Sequence, residues 1–340
     1  MKWTDEHLAA ELRRLDPAQH LTDDTIDIAR GRAILDAAAA TARATRPRPR
    51  VPRRAIAFAS VAAAIVAVVA ITVSLVSTPT PSYAATPPML QITPADQPEP
   101  DDAARLLSDL AEQLRASDEP DPAPPGEPQV INMQSWGLVT TVGAEGEAVP
   151  PPYVAPENMT LTRYPDGAWS QVVVAGSPYD TQGKPIDDPG APVPGTELWR
   201  IDEAAGEHYY LFPDPIPEDP AELRQLMLDI GFADESSPNE WLSLINGLLM
   251  ERVLRPKEEA AVLDVLAGLD LDYAGTTTDR LGRDAYVFET PPSDVDLVDR
   301  ILVSPDGHIV AMETVWVGHD RTDIPSPSVV SYQAFENRKP

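Results

Sequence analysis

Side chains able to do chemistry are few in this chain, and their spacing does not assemble a site. The five histidines are His7, His20, His208, His308 and His319, and none falls in the HExxH pattern of a zinc-binding helix. Asp294, Asp296 and Asp299 have the composition of a calcium loop, but no loop glycine and no closing glutamate stand at the right distances. Asp180-Thr181-Gln182-Gly183 echoes an aspartic-protease loop with a glutamine inserted, and no second loop supplies the partner carboxylate that such chemistry shares. No GxSxG elbow, phosphate-cradling glycine loop or dinucleotide fingerprint is present. Asn158-Met159-Thr160 is a glycosylation acceptor in form only. With 0 cysteines, disulfides, thiolate metal sites, iron–sulfur clusters and cysteine nucleophiles are excluded. The sequence therefore predicts no catalytic residue, no metal site and no cofactor.

Charge is distributed unevenly. Residues 1–54 hold 11 Lys/Arg against 8 Asp/Glu, whereas residues 77–340 hold 15 against 46, so a small basic end is joined to a strongly acidic body. That acidity argues against nucleic acid or anionic lipid as the body's direct partner. Between the two lie residues 55–76, 22 positions without a charge. As a helix they span roughly 33 Å, enough for the hydrocarbon core of a bilayer at roughly 30 Å. Arg43, Arg46, Arg48, Arg50, Arg53 and Arg54 precede the stretch with no intervening acid, and Ser77 to Pro81 end it. Flanking arginines stay on the cytoplasmic side. The sequence thus predicts a single-pass membrane protein, N-terminus in the cytoplasm and acidic body outside the cell membrane. A buried core helix would not carry such a collar. A signal peptide cleaved after Ala84 would have a shorter leader than 54 residues and a shorter apolar run.

The flanking elements follow from periodicity and capping. In residues 1–54, Thr4 caps a first helix with Trp3 and Leu8 as a hydrophobic staple, and Leu8, Leu12 and Leu15 line one face. A second helix opens at Thr22. Two short helices bury too little surface to stand alone. Trp3, Leu8, Leu12 and Leu15 are therefore the candidate partner-binding face of this cytoplasmic module, and a basic Arg-Pro connector joins it to the membrane. Residues 77–128 read as a Pro-rich extracytoplasmic linker. It holds one amphipathic helix, with Ala103, Leu106, Leu107, Leu110 and Leu114 on a face; this helix is either a stalk or the first helix of the outer domain.

Residues 129–340 read as an extracytoplasmic α+β domain. Strands are predicted at 130–142, 159–163, 169–175 and 208–212, with a long loop at 177–195. Three helices follow. Asp219-Pro220-Ala221-Glu222 and Ser237-Pro238-Asn239-Glu240 are capping boxes with proline at the first helical position, and the third helix runs from Pro256 to Gly268. Strands return from Leu271, at 283–289, 300–304, 308–317 and 329–335. Tyr164-Pro165-Asp166-Gly167 and Ser304-Pro305-Asp306-Gly307 fit type I turns. Strands, a helical block, then antiparallel strands imply helices packed on one face of a curved sheet, with a concave apolar groove where cover is missing.

One ordered set of residues carries a resemblance. Glu218-Asp219-Pro220-x-x-Leu223-Arg224, Leu248-Leu249, Pro256-x-x-x-Ala260-Ala261-x-Leu263-x-x-Leu266-Ala267-x-Leu269 and Asp279-x-x-Gly282-Arg283 resemble a family of actinobacterial single-pass membrane proteins of unknown function, often encoded beside extracytoplasmic-function sigma factors. The chain departs from the family at Ala285, where a glycine is usual, and at Leu271-Asp272, where Pro-Gly is usual. For Asp279, Gly282 and Arg283, a turn glycine and a salt-bridged arginine explain the pattern more cheaply than catalysis does. The resemblance implies an anti-sigma-like topology and, by analogy with envelope-stress regulators, a half-barrel outer domain like the lipoprotein carriers. Two functions are then expected in competition. One is a membrane-anchored regulatory or sensor protein without catalytic activity, its inner module binding a cytoplasmic sigma factor. The other is a tethered extracytoplasmic binding module for a lipid, lipoprotein or peptide.

Overall fold

The computed structural model describes residues 84–94, 102–122, 124, 126–138, 152–212, 214–230, 237–321 and 323–336. The apolar stretch 55–76 and residues 1–54, Trp3, Leu8, Leu12 and Leu15 included, lie outside the described residues. Among the described residues no helix is long and apolar enough to cross a membrane.

Among the described residues the fold is α+β: ten antiparallel strands in one open sheet and four helices. In chain order the elements are β1 (Thr93–Pro94), α1 (Asp102–Arg115), β2 (Gln129–Gly137), β3 (Glu157–Arg163), β4 (Trp169–Ala175), β5 (Glu197–Glu203), α2 (Pro220–Ile230), α3 (Pro238–Glu251), α4 (Pro256–Ala267), β6 (Asp272–Thr278), β7 (Asp284–Glu289), β8 (Leu297–Val303), β9 (Ile309–Trp316) and β10 (Ser328–Phe335). The sheet order is β1-β6-β7-β8-β9-β10-β2-β3-β4-β5. Two meanders, β2–β5 and β6–β10, flank the helical block in sequence. They fuse where β10 pairs with β2, in the register Tyr332↔Trp136 to Phe335↔Met133.

Local chemistry sets these elements. Asp219 accepts the Ala221 and Glu222 backbone N–H groups at 2.9 and 3.0 Å ahead of α2, and Ser237 accepts that of Glu240 ahead of α3. Their side chains replace bonds that a helix start cannot supply from within. The Pro-Asp-Gly turns join β3 to β4 and β8 to β9. In the second, Gly307 sits at φ 93° with its N–H 2.9 Å from the Ser304 carbonyl. A Cβ at Gly307 would also lie 3.0 Å from the Leu110 carbonyl, so this turn packs closely on α1.

The main core lies between the helices and one face of the sheet. Ile131, Leu161, Val173, Phe288, Ile301, Ile309 and Phe335 meet Leu107, Trp241, Ile245, Leu248, Leu263 and Leu266. The opposite face is covered as well, over β6–β10, by the segment at 84–92. Leu90 and Ile92 pack on Val287, Leu302 and Ala334 there, and Ala85 packs on Trp136 and Tyr332.

Three expectations change. Residues 84–94 and 102–115, read above as linker, belong to the fold: β1 pairs with β6, and α1 buries Leu107, Ala111 and Leu114 against α4 and the sheet. The amphipathic helix is therefore the domain's first helix and not a stalk. The strand expected at 208–212 is absent, and β5 takes its place. After β5 the chain turns at Gly206, and the Leu211 and Phe212 N–H groups donate to the Glu251 carboxylate at 2.9 and 3.0 Å instead of to a strand. Where α3 faces β8–β10, no broad groove opens; a cavity of about 60 Å³ remains between them.

Truncating Leu107 to alanine tests the place of α1. The domain should lose about 2–5 kcal/mol of stability in denaturant unfolding, as buried leucines do. A stalk leucine would leave the midpoint unmoved.

Candidate functional site

A cluster of rings and charges sits at the β5 end of the sheet. Arg163 ends β3, Trp169 begins β4, and the return after β5 brings His208, Tyr210 and Asp214 back over them. The Trp169 and His208 rings stack at 4.3 Å with 12° between planes, and His208 meets Tyr210 edge-on at 4.6 Å. The Arg163 guanidinium lies 4.5 Å from the Tyr210 ring centroid and that of Arg252, just beyond α3, lies 5.1 Å away, so one ring serves two cations. Arg163 holds the Asp214 carboxylate in a two-point pair, 3.1 Å at Nη1, and His208 Nδ1 lies 2.5 Å from Glu203.

The electrostatics follow from these neighbours. The hydrogen bonds from Arg163, and then the charge of Arg252, hold the Asp214 carboxyl below its ordinary value against the opposing effect of burial. Burial, and then repulsion from Arg163, pull Arg252 below the ordinary guanidinium value. Its Nε is buried without a hydrogen-bond partner, while its Nη2 donates to the Phe212 carbonyl. Burial raises Tyr210. Beside this cluster the surface is apolar and open: Ile201 is 41% exposed and Tyr209 83%. Aromatic faces, paired cations and exposed apolar groups suit recognition.

A second cluster is buried on the opposite face. Glu313, with its side chain 2% exposed, pairs with both Arg280 and Arg300, and Arg300 reaches Glu289 at 2.6 Å. Arg280 stacks 4.5 Å over Tyr332, whose hydroxyl donates to Gln134 at 3.1 Å. Burial pushes Tyr332 far above its ordinary value. Every charge here has a partner inside the fold. Beside it, Pro88–Gln91, Gln134, Tyr179, Thr277 and Arg280 line an open depression of about 530 Å³.

The residues weighed from sequence are dispersed. Asp279 and Arg283 form a buried ion pair at the β6–β7 turn, and Arg283 also donates to the carbonyls of Val310 at 2.9 Å and Phe335 at 2.5 Å. Gly282 at φ 83° completes that turn. The cheaper, structural explanation of the trio is the one observed. Asp180 accepts the Gln182 and Lys184 N–H groups at 2.8 and 2.9 Å and so makes a tight turn. Asp299 is bonded to Thr314 and Asn239, and Asp296 stands at φ 57° in the turn before β8. His308 lies between Glu259 and Glu119, at 2.9 and 3.0 Å. His7 and His20 lie outside the described residues. Among the described residues no three His, Cys, Asp or Glu side chains converge as a metal site would require. Sequence reasoning missed the β5-end cluster. The one available signal was the density of rings and charges from Glu197 to Asp214.

No protein-family model matches the chain, and comparisons with curated proteins and with solved structures find no match.

The buried charges make a measurable claim. Replacing Glu313 with alanine leaves the Arg280 guanidinium, its side chain 10% exposed, without a carboxylate while Arg300 keeps Glu289, and should cost about 3–5 kcal/mol in denaturant unfolding. Adding Arg280→Met should recover part of that loss; a double variant as weak as the sum of its singles would contradict the pairing.

Proposed function

We propose that the protein is a membrane-anchored regulatory or sensor protein, anti-sigma-like in layout and without catalytic activity of its own. Its acidic outer domain acts by contact with another protein. The observation that carries the reading is the uncharged stretch 55–76 with six arginines before it and an acidic body after it. On this reading the pattern divides the chain into a small inner module, with Trp3, Leu8, Leu12 and Leu15 as its candidate contact residues, and a large outer domain. Membership of the actinobacterial family suggested by the Asp219, Leu248-Leu249, Pro256 and Asp279–Arg283 elements is part of the same proposal.

The competing reading is a tethered half-barrel that holds a lipid, lipoprotein or peptide. An open antiparallel sheet with helices on one face is the frame from which such a carrier is built, and this supports the half-barrel description. The filling of that frame supports the regulator over a lipid carrier. Phe212, Met227, Trp241 and Leu248 are fully buried between helices and sheet, where an acyl chain would lie. The cavity of about 60 Å³ between α3 and the sheet is small beside the roughly 300–1,000 Å³ of a ligand pocket, and the depression of about 530 Å³ lies on the other face of the sheet.

The test is capture of the full-length chain from solubilised membranes of its own host. A cytoplasmic sigma factor should co-purify, and Leu8→Asp with Leu12→Asp should abolish its recovery without changing the amount of captured chain. Recovery of no cytoplasmic protein, or recovery unaffected by these changes, overturns the inner-module assignment. Protease added to intact cells should remove the outer domain; its survival would overturn the topology.

A further inference from the structure

The sheet is open, so it has two edges, and they are built differently. The β1 edge is two residues long and one of them is Pro94, which has no N–H to offer. It also lies tightly on β6: a Cβ at Gly275 would overlap the Thr93 carbonyl. That edge is blunted in the manner by which natural sheets avoid further pairing. The β5 edge is seven residues long, pairs with β4 from Trp169↔Glu203 to Val174↔Glu197, and among the described residues has no hydrogen-bonded neighbour on its other side.

The side chains of β5 sort by register into two rows. Trp199, Ile201 and Glu203 face the helix side, opposite Val173, Gln171 and Trp169. Glu197, Arg200 and Asp202 face the other way, where the Arg200 guanidinium lies 3.0 Å from Glu197 and 3.9 Å from Asp202. The strand thus carries three carboxylates against one guanidinium. Two copies paired edge to edge would bring these carboxylates together on domains that are strongly acidic throughout, so the charge opposes a second copy of this chain as occupant. On the helix side, Ile201 is left open beside a half-buried Trp199.

We propose that β5 is a docking edge to which a protein partner adds an extended segment as an eleventh strand, with basic residues alternating with apolar ones. The inference rests on the reading of the outer domain as a protein-contacting unit and names the contact. Main-chain bonds along the edge supply affinity in such strand addition, and the alternate side chains supply selection. Apolar residues of the incoming strand lie beside Trp199 and Ile201. Basic ones lie beside Glu197 and Asp202, which Arg200 neutralises only in part.

The experiment is amide hydrogen exchange on the full-length chain in lipid nanodiscs. The first probe is an acetylated, amidated heptapeptide in which lysine and valine alternate, with lysine at both ends. The second has glutamate in place of every lysine. The third has the composition of the first but places all its lysines ahead of all its valines. The alternating basic peptide should slow exchange across residues 197–203 by about tenfold, leave β8 and β9 unchanged, and lose its effect as salt rises. Glu197→Lys with Asp202→Lys should abolish that protection and transfer it to the acidic peptide. These positions are solvent-exposed, and an unchanged far-ultraviolet spectrum confirms that the variant is folded. Equal protection by the block peptide, or no protection of 197–203 at millimolar peptide, overturns the proposal. Both results are independent of whether a cytoplasmic protein co-purifies through Leu8 and Leu12, so failure here and failure of the regulatory reading are told apart.

Discussion

The pairing of β10 with β2 is the constraint on which the rest of the structure depends. These strands come from opposite ends of the domain sequence, and the hydroxyl of Tyr332 donates to a glutamine 198 residues away. Without that ladder the chain would form a four-stranded meander and a separate meander of the later strands. Neither alone would offer a face wide enough for α1, α3 and α4. With it, Met133 on β2 and Phe335 on β10 sit side by side under the helices, and the Glu336 N–H reaches back to the Asn132 carbonyl at 2.7 Å. Closing so long a loop costs entropy that only a large shared core offsets. The helical block and the strand ladder therefore stabilise each other and cannot be treated as separate modules.

Helix α4 makes that dependence concrete. It packs on α1 and α2, and its Glu259, buried within the fold, accepts the Ile309 N–H at 2.8 Å and lies 2.9 Å from His308 Nδ1. The other imidazole nitrogen faces Glu119, beyond the end of α1, at 3.0 Å. Ionised carboxylates only accept, so an imidazole between two of them satisfies both when both its nitrogens carry hydrogen. A single histidine at the start of β9 thereby joins α4, β9 and the connection out of α1. Nothing in its spacing marked it, because its partners lie 49 and 189 residues away.

The same distinction between near and far explains what was legible in the sequence. Elements whose cause lies within four residues were readable: the caps Asp219 and Ser237, the Pro-Asp-Gly turns, and the amphipathic faces of the helical block. Elements fixed by distant partners were not. Residues 208–212 are rich in the aromatic residues that strands favour, yet Glu251 captures the backbone of Leu211 and Phe212, and Trp169 captures the ring of His208. The strand Glu197–Glu203 lacks a clean alternation because it sits at an edge, with Glu203 on the same side as Trp199. Proline content made residues 84–94 look like linker, but Ala85, Leu90 and Ile92 pack on a face of the sheet that only the folded chain creates. The β5-end cluster failed to show for the same reason, since Arg163, Trp169, Tyr210 and Arg252 are brought together by topology alone.

At the return from β5, rim and core share residues. Phe212 is fully buried, while Tyr209, three positions earlier, is 83% exposed. Between them, Tyr210 lies under Arg163 from β3 and Arg252 from the end of α3. The return from β5 is thus bonded at one end to an edge strand through Glu203 and His208, and at the other to α3 through Glu251 and Arg252. Displacing β5 must strain those bonds or move α3 with it, because the buried Arg252 has the Phe212 carbonyl and the nearby Asp214 as partners, and burial already disfavours its charge. The guanidinium that looks like an oddity of the core thus ties the return from β5 to the end of α3.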